Sequence, residues 1–222
     1  MKLFLATDAL DDVRWAAERA LIDGVVLPDA ALRDAASEAD AMAWLAEFAR
    51  AAAMPVFVSL DPSTGDNADA AAERLGRVAD NVVVQLPFSD AHIALLHRLA
   101  ESGVRVAATF VGSTAQAMLA ARTGAAFVFI DVDRLEAAGA DGARVMREAR
   151  ALYDAISCES ELVAVFPSAG STLMACALAG ADAAVVGAST LRAMIAYPFT
   201  DQSLPEGARR PSQGERLRVT SS

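Results

Sequence analysis

The stretch Asn81-Val82-Val83-Val84-Gln85-Leu86-Pro87-Phe88 is a short apolar, β-branched run that ends on a proline and carries one polar side chain near its C-terminal end. A run without polar alternation fits a parallel strand buried on both faces, with helices on one side and other strands on the other. Proline lacks the backbone donor that would continue the ladder, so the strand stops there. Gln85 is therefore expected where a parallel barrel keeps its chemistry, at the C-terminal end of a strand.

Working outward, the same kind of run recurs. Lys2 to Thr7 reads as a first strand, with Asp8 or Asp11 capping a helix through Val13, Ala16, Ala17, Ala20 and Leu21. Gly24 to Pro28 is a second strand, and Ser37-x-x-Asp40 resembles a capping box for the helix carrying Met42, Leu45, Phe48 and Ala52. Pro55 to Asp61 is the third. After the opening stretch, Ser89-Asp90 starts a helix that Gly103 ends. Arg105 to Val111 and Phe127 to Arg134 are the fifth and sixth strands, and a long helix through Val145, Ala149 and Tyr153 follows the sixth. Glu161 to Phe166 and Asp182 to Val186 complete the series.

Strand-then-helix alternation of this regularity means right-handed βαβ units and a parallel sheet, and eight such units close as a TIM (β/α)8 barrel. An open, doubly wound sheet is the alternative, but no G-x-G-x-x-G follows the first strand. The expected organisation is one barrel domain over residues 1–198 and a C-terminal tail over 199–222. That tail changes composition, with Pro205, Gly207, Pro211 and Gly214 among Arg209, Arg210, Arg216 and Arg218. It reads either as a solvated linker or as an arm held by a neighbouring subunit.

Composition narrows the function. The 222 residues carry a net charge of −10, which argues against nucleic acid or an anionic membrane as a partner. No window approaches a membrane span and no basic start precedes an apolar stretch, so a cytoplasmic protein is expected. Cys158 and Cys176 have no metal-ligand spacing, lie in helical patterns and read as core thiols. The chain's only lysine is Lys2.

The Val82-to-Pro87 run resembles the strand V-V-K-[VIL]-P that bears the Schiff-base lysine in the small transaldolase family, which includes fructose-6-phosphate aldolase. Thr109 ahead of a helix with Gln116, the run Asp131-Val-Asp-Arg134, Leu178-Ala-Gly180 and Met194-Ile-Ala-Tyr197-Pro198 carry the resemblance over about residues 1–200. It implies a barrel, sugar chemistry and ring-shaped oligomers. Against that pattern the lysine position is Gln85, the strand-one aspartate is Ala6, and the asparagine before Pro28 is Leu27. The polar group ending the sixth strand is Asp131, and the serine ending the seventh falls on Phe166. Thr109 and Arg134 stand as the family would have them, Arg134 at the phosphate-binding position. An imine needs an amine and a base, so the resemblance implies a protein of carbohydrate metabolism that has lost Schiff-base catalysis.

The expected ligand residues are Gln85, Thr109, Asp131, Arg134 and Ser168, for a small sugar or carbonyl compound and with no cofactor. Leu27 and Phe166 are expected to fill part of the mouth, which favours an assembly role. The runner-up is an enzyme of altered mechanism, in which Asp131 and Asp133, two apart on one strand, act with Asp61 and a divalent metal. Against it, Asp131 or Asp133 simply pairs with Arg134. His92 and His97 read as solvated surface residues. A homo-oligomer is expected, a pentamer or decamer with residues after Pro198 on a neighbour, or a mixed ring with an active paralogue.

Overall fold

The computed structural model describes residues 1–33, 35–60, 68–165, 170–196 and 198–203. Eight parallel strands close on themselves in chain order: β1 (Lys2–Ala6), β2 (Gly24–Val26), β3 (Val56–Ser59), β4 (Val82–Pro87), β5 (Val106–Val111), β6 (Phe127–Ile130), β7 (Glu161–Val165) and β8 (Ala183–Gly187). Closure is the pairing of β1 with β8, from Lys2 opposite Ala183 to Ala6 opposite Gly187. Helices α1 (Leu10–Ala17), α2 (Glu38–Ala52), α3 (Ala68–Gly76), α4 (Asp90–Glu101) and α5 (Thr114–Arg122) follow the first five strands. The sixth unit has two, α6 (Val132–Ala137) and α7 (Gly142–Ile156), and α8 (Gly170–Leu178), α9 (Ala188–Ile195) and α10 (Pro198–Ser203) complete the chain. The expected TIM barrel is the observed fold.

Side chains alternate across each strand, and the alternation divides the core in two. Leu5, Val25, Val56, Val58, Val84, Leu86, Ala108, Ile130, Leu162 and Val186 point outward to the helices, where Leu45, Phe48, Leu96, Leu99 and Tyr153 meet them. Phe4, Phe57, Val83, Ala107, Phe127, Phe129, Val163, Ala183 and Val185 point inward and form a separate cluster. Phe57 is its hub, with ring centroids 4.8 Å from Phe4, 4.9 Å from Phe127 and 5.3 Å from Phe129. Gly24 makes room for this cluster, since a Cβ there would lie 2.9 Å from Phe4 Cδ1. The interior is thus packed shut below its C-terminal end.

Several local readings hold in detail. Ser37 accepts from the Asp40 amide at 3.2 Å and starts α2. Gly103, read as the end of α4, takes a left-handed φ of +82° just beyond it, where a side chain would be strained. Others are corrected. Neither Asp8 nor Asp11 caps α1; Ala9 is its N-cap, and Asp11 lies in the first turn. Cys158 lies past the left-handed Ser157 that closes α7, half-buried, whereas Cys176 is buried within α8. Burial first, then Glu136 and Asp141, pushes the Cys176 thiol up to about 11. Burial likewise raises the Tyr153 phenol well above its usual range, and its hydroxyl donates to the Ala117 carbonyl at 2.7 Å.

The largest correction concerns the sixth strand. It ends at Ile130, and Asp131 is the N-cap of α6, accepting from the Arg134 amide at 3.4 Å. An aspartate followed by a helical turn competes well with one more strand residue, because it satisfies a donor that the helix start would leave open. Asp133 therefore sits in the first turn of α6, and the two carboxylates do not share a strand face.

Candidate functional site

At the C-terminal end of the barrel the inward positions of β3, β4 and β5 turn polar. Above Phe57, Val83 and Ala107 come Ser59, Gln85 and Thr109, by the two-residue period of their strands, and beside them Asp131, the N-cap of α6. They border a pocket of about 850 Å³. Its wall includes Val26, Phe129, Val165 and Val185 on the apolar side, and Asp29, Arg33, His92, Asp133 and Arg134 at the rim. Gln85, Thr109, Asp131 and Arg134, four residues expected from sequence, are thus brought together.

Gln85 is 5% exposed, and its amide lies 3.3 Å from Ser59 Oγ. Ser59 Oγ in turn donates to Asp29 Oδ1 at 2.7 Å. A carboxylate on the loop after β2 is so linked through a hydroxyl at the end of β3 to the amide on β4. Neither Asp29 nor Ser59 was expected. The signal available for Ser59 was its place two residues after Phe57 in the strand read from Pro55 to Asp61.

On the other side Asp131 Oδ2 pairs with Arg134 Nε at 3.1 Å. The Arg134 guanidinium lies over the Phe110 ring, 4.7 Å from its centroid. Phe110 has φ +59°, at a register shift between Ala108 and Val111 where β5 meets β6. A bulky residue is rarely left-handed, and here the bulge turns an aromatic ring outward at the mouth, where it is 47% exposed. Nothing in the sequence marks Phe110 for this.

His92 is the other residue misjudged from sequence. It lies in the first turn of α4 at the pocket's edge, its Nδ1 2.8 Å from Ser89 Oγ. First turns that follow barrel strands face the mouth, so its position after β4 was the usable signal. His97, further along α4, is exposed.

Leu27 does not plug the mouth. It touches the pocket wall, yet it is 2% exposed and belongs to the outer cluster, because Val26 before it takes the inward position. Ala6 opens onto solvent at the end of β1 with no group to move a proton. Phe166, Ser168 and Asp61 lie outside the described residues. Among the described residues no group of three His, Cys, Asp or Glu is placed to hold a metal ion, and no helix is long and apolar enough to cross a membrane.

The lone lysine is at the opposite end of the barrel. Lys2 begins β1, its amide bonds the Asp182 carbonyl, and its Nζ lies 2.7 Å and 2.9 Å from the two oxygens of Glu161, the first residue of β7.

Residues 10–219 match the family model described as Transaldolase/Fructose-6-phosphate aldolase. A probable transaldolase of Hyphomonas neptunium (strain ATCC 15444) is 30% identical over 205 residues, which cover 92% of this chain and 94% of that protein. One of Bartonella tribocorum (strain CIP 105476 / IBS 506) is 28% identical over 204 residues, covering 92% and 93%. One of Thermoplasma volcanium is 25% identical over 205 residues, covering 92% of each.

Proposed function

Because this chain belongs to the transaldolase/fructose-6-phosphate aldolase family, we propose that it serves carbohydrate metabolism by binding a small sugar or carbonyl compound at the barrel mouth without forming a Schiff base. One observation carries the reading: a pocket that Ser59, Gln85, Thr109 and Asp131 border lies at one end of the barrel, and the only lysine is tied to Glu161 at the other. Imine formation needs a neutral amine within reach of the carbonyl; glutamine has none and arginine stays protonated. Among the described residues the pocket supports the binding role, Leu27 having turned to the outer cluster. Asp131 is a poor candidate for a replacement base, because it already caps α6 and pairs with Arg134.

Binding is tested by saturation-transfer NMR with dihydroxyacetone as the probe. Transfer that saturates with ligand and weakens in Gln85→Leu is expected. Its absence at tens-of-millimolar probe, well above a Kd of about 1 mM, would remove the binding role.

We also propose a homo-oligomer, a pentamer or decamer in which the segment after Pro198 packs on a neighbouring subunit; a mixed ring with an active paralogue is the variant form. What supports it is the run of exposed apolar side chains on consecutive C-terminal helices: Met174 and Leu178 on α8, Met194 and Ile195 on α9, and Phe199 on α10. Leu178 is 90% exposed and Phe199 72%, an arrangement that a monomer gains nothing from and a subunit contact would cover. Light scattering should give a mass several times the 23.1 kDa of one chain, falling when the chain is cut after Pro198. A monomer in dilute solution would contradict the proposal.

A further inference from the structure

Phe110 occupies a place that folding alone does not explain. Its φ of +59° is one that a bulky residue adopts at a cost, and a glycine would make the same bend without strain. The ring is about half exposed, so burial returns little of that cost. Backbone strain of this kind gathers at ligand-binding sites, where the surrounding structure holds it in place. Its neighbours show what the left-handed residue achieves. Thr109 before it borders the pocket, Val111 after it joins the outer cluster, and the ring swings across the register shift to meet Arg134 of the next unit.

Arg134 is thereby held from two sides. Asp131 Oδ2 lies 3.1 Å from its Nε, and the Phe110 ring lies under the guanidinium carbon. Its two Nη groups have no hydrogen-bond partner among the described residues, whereas Arg98, Arg144 and Arg192 each give an Nη to a carboxylate. The Arg134 side chain is 73% exposed, so water screens its charge, and a freely moving arginine there would attract an anion only weakly. A guanidinium already oriented loses less freedom when it forms the paired N–H···O bonds that a phosphate accepts. What the ring supplies is orientation.

Resting on the binding role proposed above, we infer that Phe110 is a positioning residue: its ring holds the Arg134 guanidinium at the rim of the pocket, with the Nη fork free for the anionic group of a phosphorylated ligand.

The test titrates dihydroxyacetone and dihydroxyacetone phosphate against the full chain and its variants by saturation-transfer NMR at pH 7.5. The ester-to-ketone affinity ratio should fall about two- to fivefold in Phe110→Ala, the fold-change that an exposed cation–π contact is worth, and should be kept in Phe110→Trp. In an Arg134→Ala background, Phe110→Ala should change the ratio no further. Phe110→Gly frees the left-handed backbone from strain and should melt above Phe110→Ala, yet show the same fall in the ratio. That variant separates the ring from the backbone, and it serves alone if the alanine variant does not fold. An unchanged ratio in the alanine or glycine variant would overturn the inference and leave the binding role standing. So would an equal fall in the Arg134→Ala background, a ratio that follows the melting temperature from variant to variant, or an ester that fails to bind where the ketone binds. If the ketone does not bind the wild-type chain, the binding role falls and this inference falls with it.

Discussion

Replacing Phe57 with alanine is expected to destabilise the protein by about 3–5 kcal/mol. The ring is fully buried at the centre of the barrel's inner cluster, in contact with Phe4, Phe127 and Phe129. Its loss forfeits the burial of a large side chain, about 1.5–3 kcal/mol, and leaves a cavity that the surrounding closed sheet is poorly able to collapse. Tilted and edge-on aromatic pairs add about 0.5–1.5 kcal/mol each beyond area, which places the expected value in the upper half of the range. Urea denaturation measures it as a lower midpoint at unchanged slope. Phe57→Leu, which keeps most of the volume but loses the ring contacts, should cost less than the alanine variant. A loss below about 1.5 kcal/mol in the alanine variant would show that the interior is less tightly organised around this ring than its contacts imply.

The consequence for the site is direct. The phenylalanine layer is the floor on which Ser59, Gln85 and Thr109 stand, each two residues further along a strand whose preceding inward side chain is packed in that layer. A site built on strand ends over such a floor holds its groups in fixed register. The Asp29–Ser59–Gln85 chain spans three consecutive units of the barrel, so its geometry depends on the pairing of β3 with β4, where Ser59 lies opposite Gln85.

The barrel was legible because its strands advertise themselves. Val82-Val83-Val84 and Phe127-Val128-Phe129-Ile130 are apolar on both faces, which is how a fully covered parallel strand must look, and Pro28 and Pro87 close the second and fourth runs. The end of the sixth strand was not legible: Asp131-Val132-Asp133 alternates as a strand would, and only the competition from the α6 N-terminus settles it. The site divides in the same way. Gln85 and Thr109 could be found because strand position alone aims them at the mouth. Asp29, Arg33 and His92 sit on a loop and a first helical turn, where no periodicity says which way a side chain faces. Leu27 shows the converse. A residue next to Pro28 was given the inward side, and a shift of one residue in a period of two moves it to the outer face. Phe110 depends on a bulge, which breaks the period altogether.

Chemistry at this mouth turns on whether an amine is present, and intact-mass spectrometry after borohydride reduction decides it. The wild-type chain, incubated with dihydroxyacetone and reduced, should keep its mass, with peptide mapping separating any trace on Lys2 or the N-terminal amine, both far from the pocket. Gln85→Lys supplies the contrast. A lysine at that 5%-exposed position has its ammonium form disfavoured by burial, and the variant should accumulate a reduced adduct at residue 85. It should still not turn over an aldol substrate, because Ala6 offers no group to move the proton. No adduct on the wild-type chain beside near-complete labelling of Gln85→Lys is the predicted pair of results. A stoichiometric adduct on the wild-type chain under the same conditions would contradict the account.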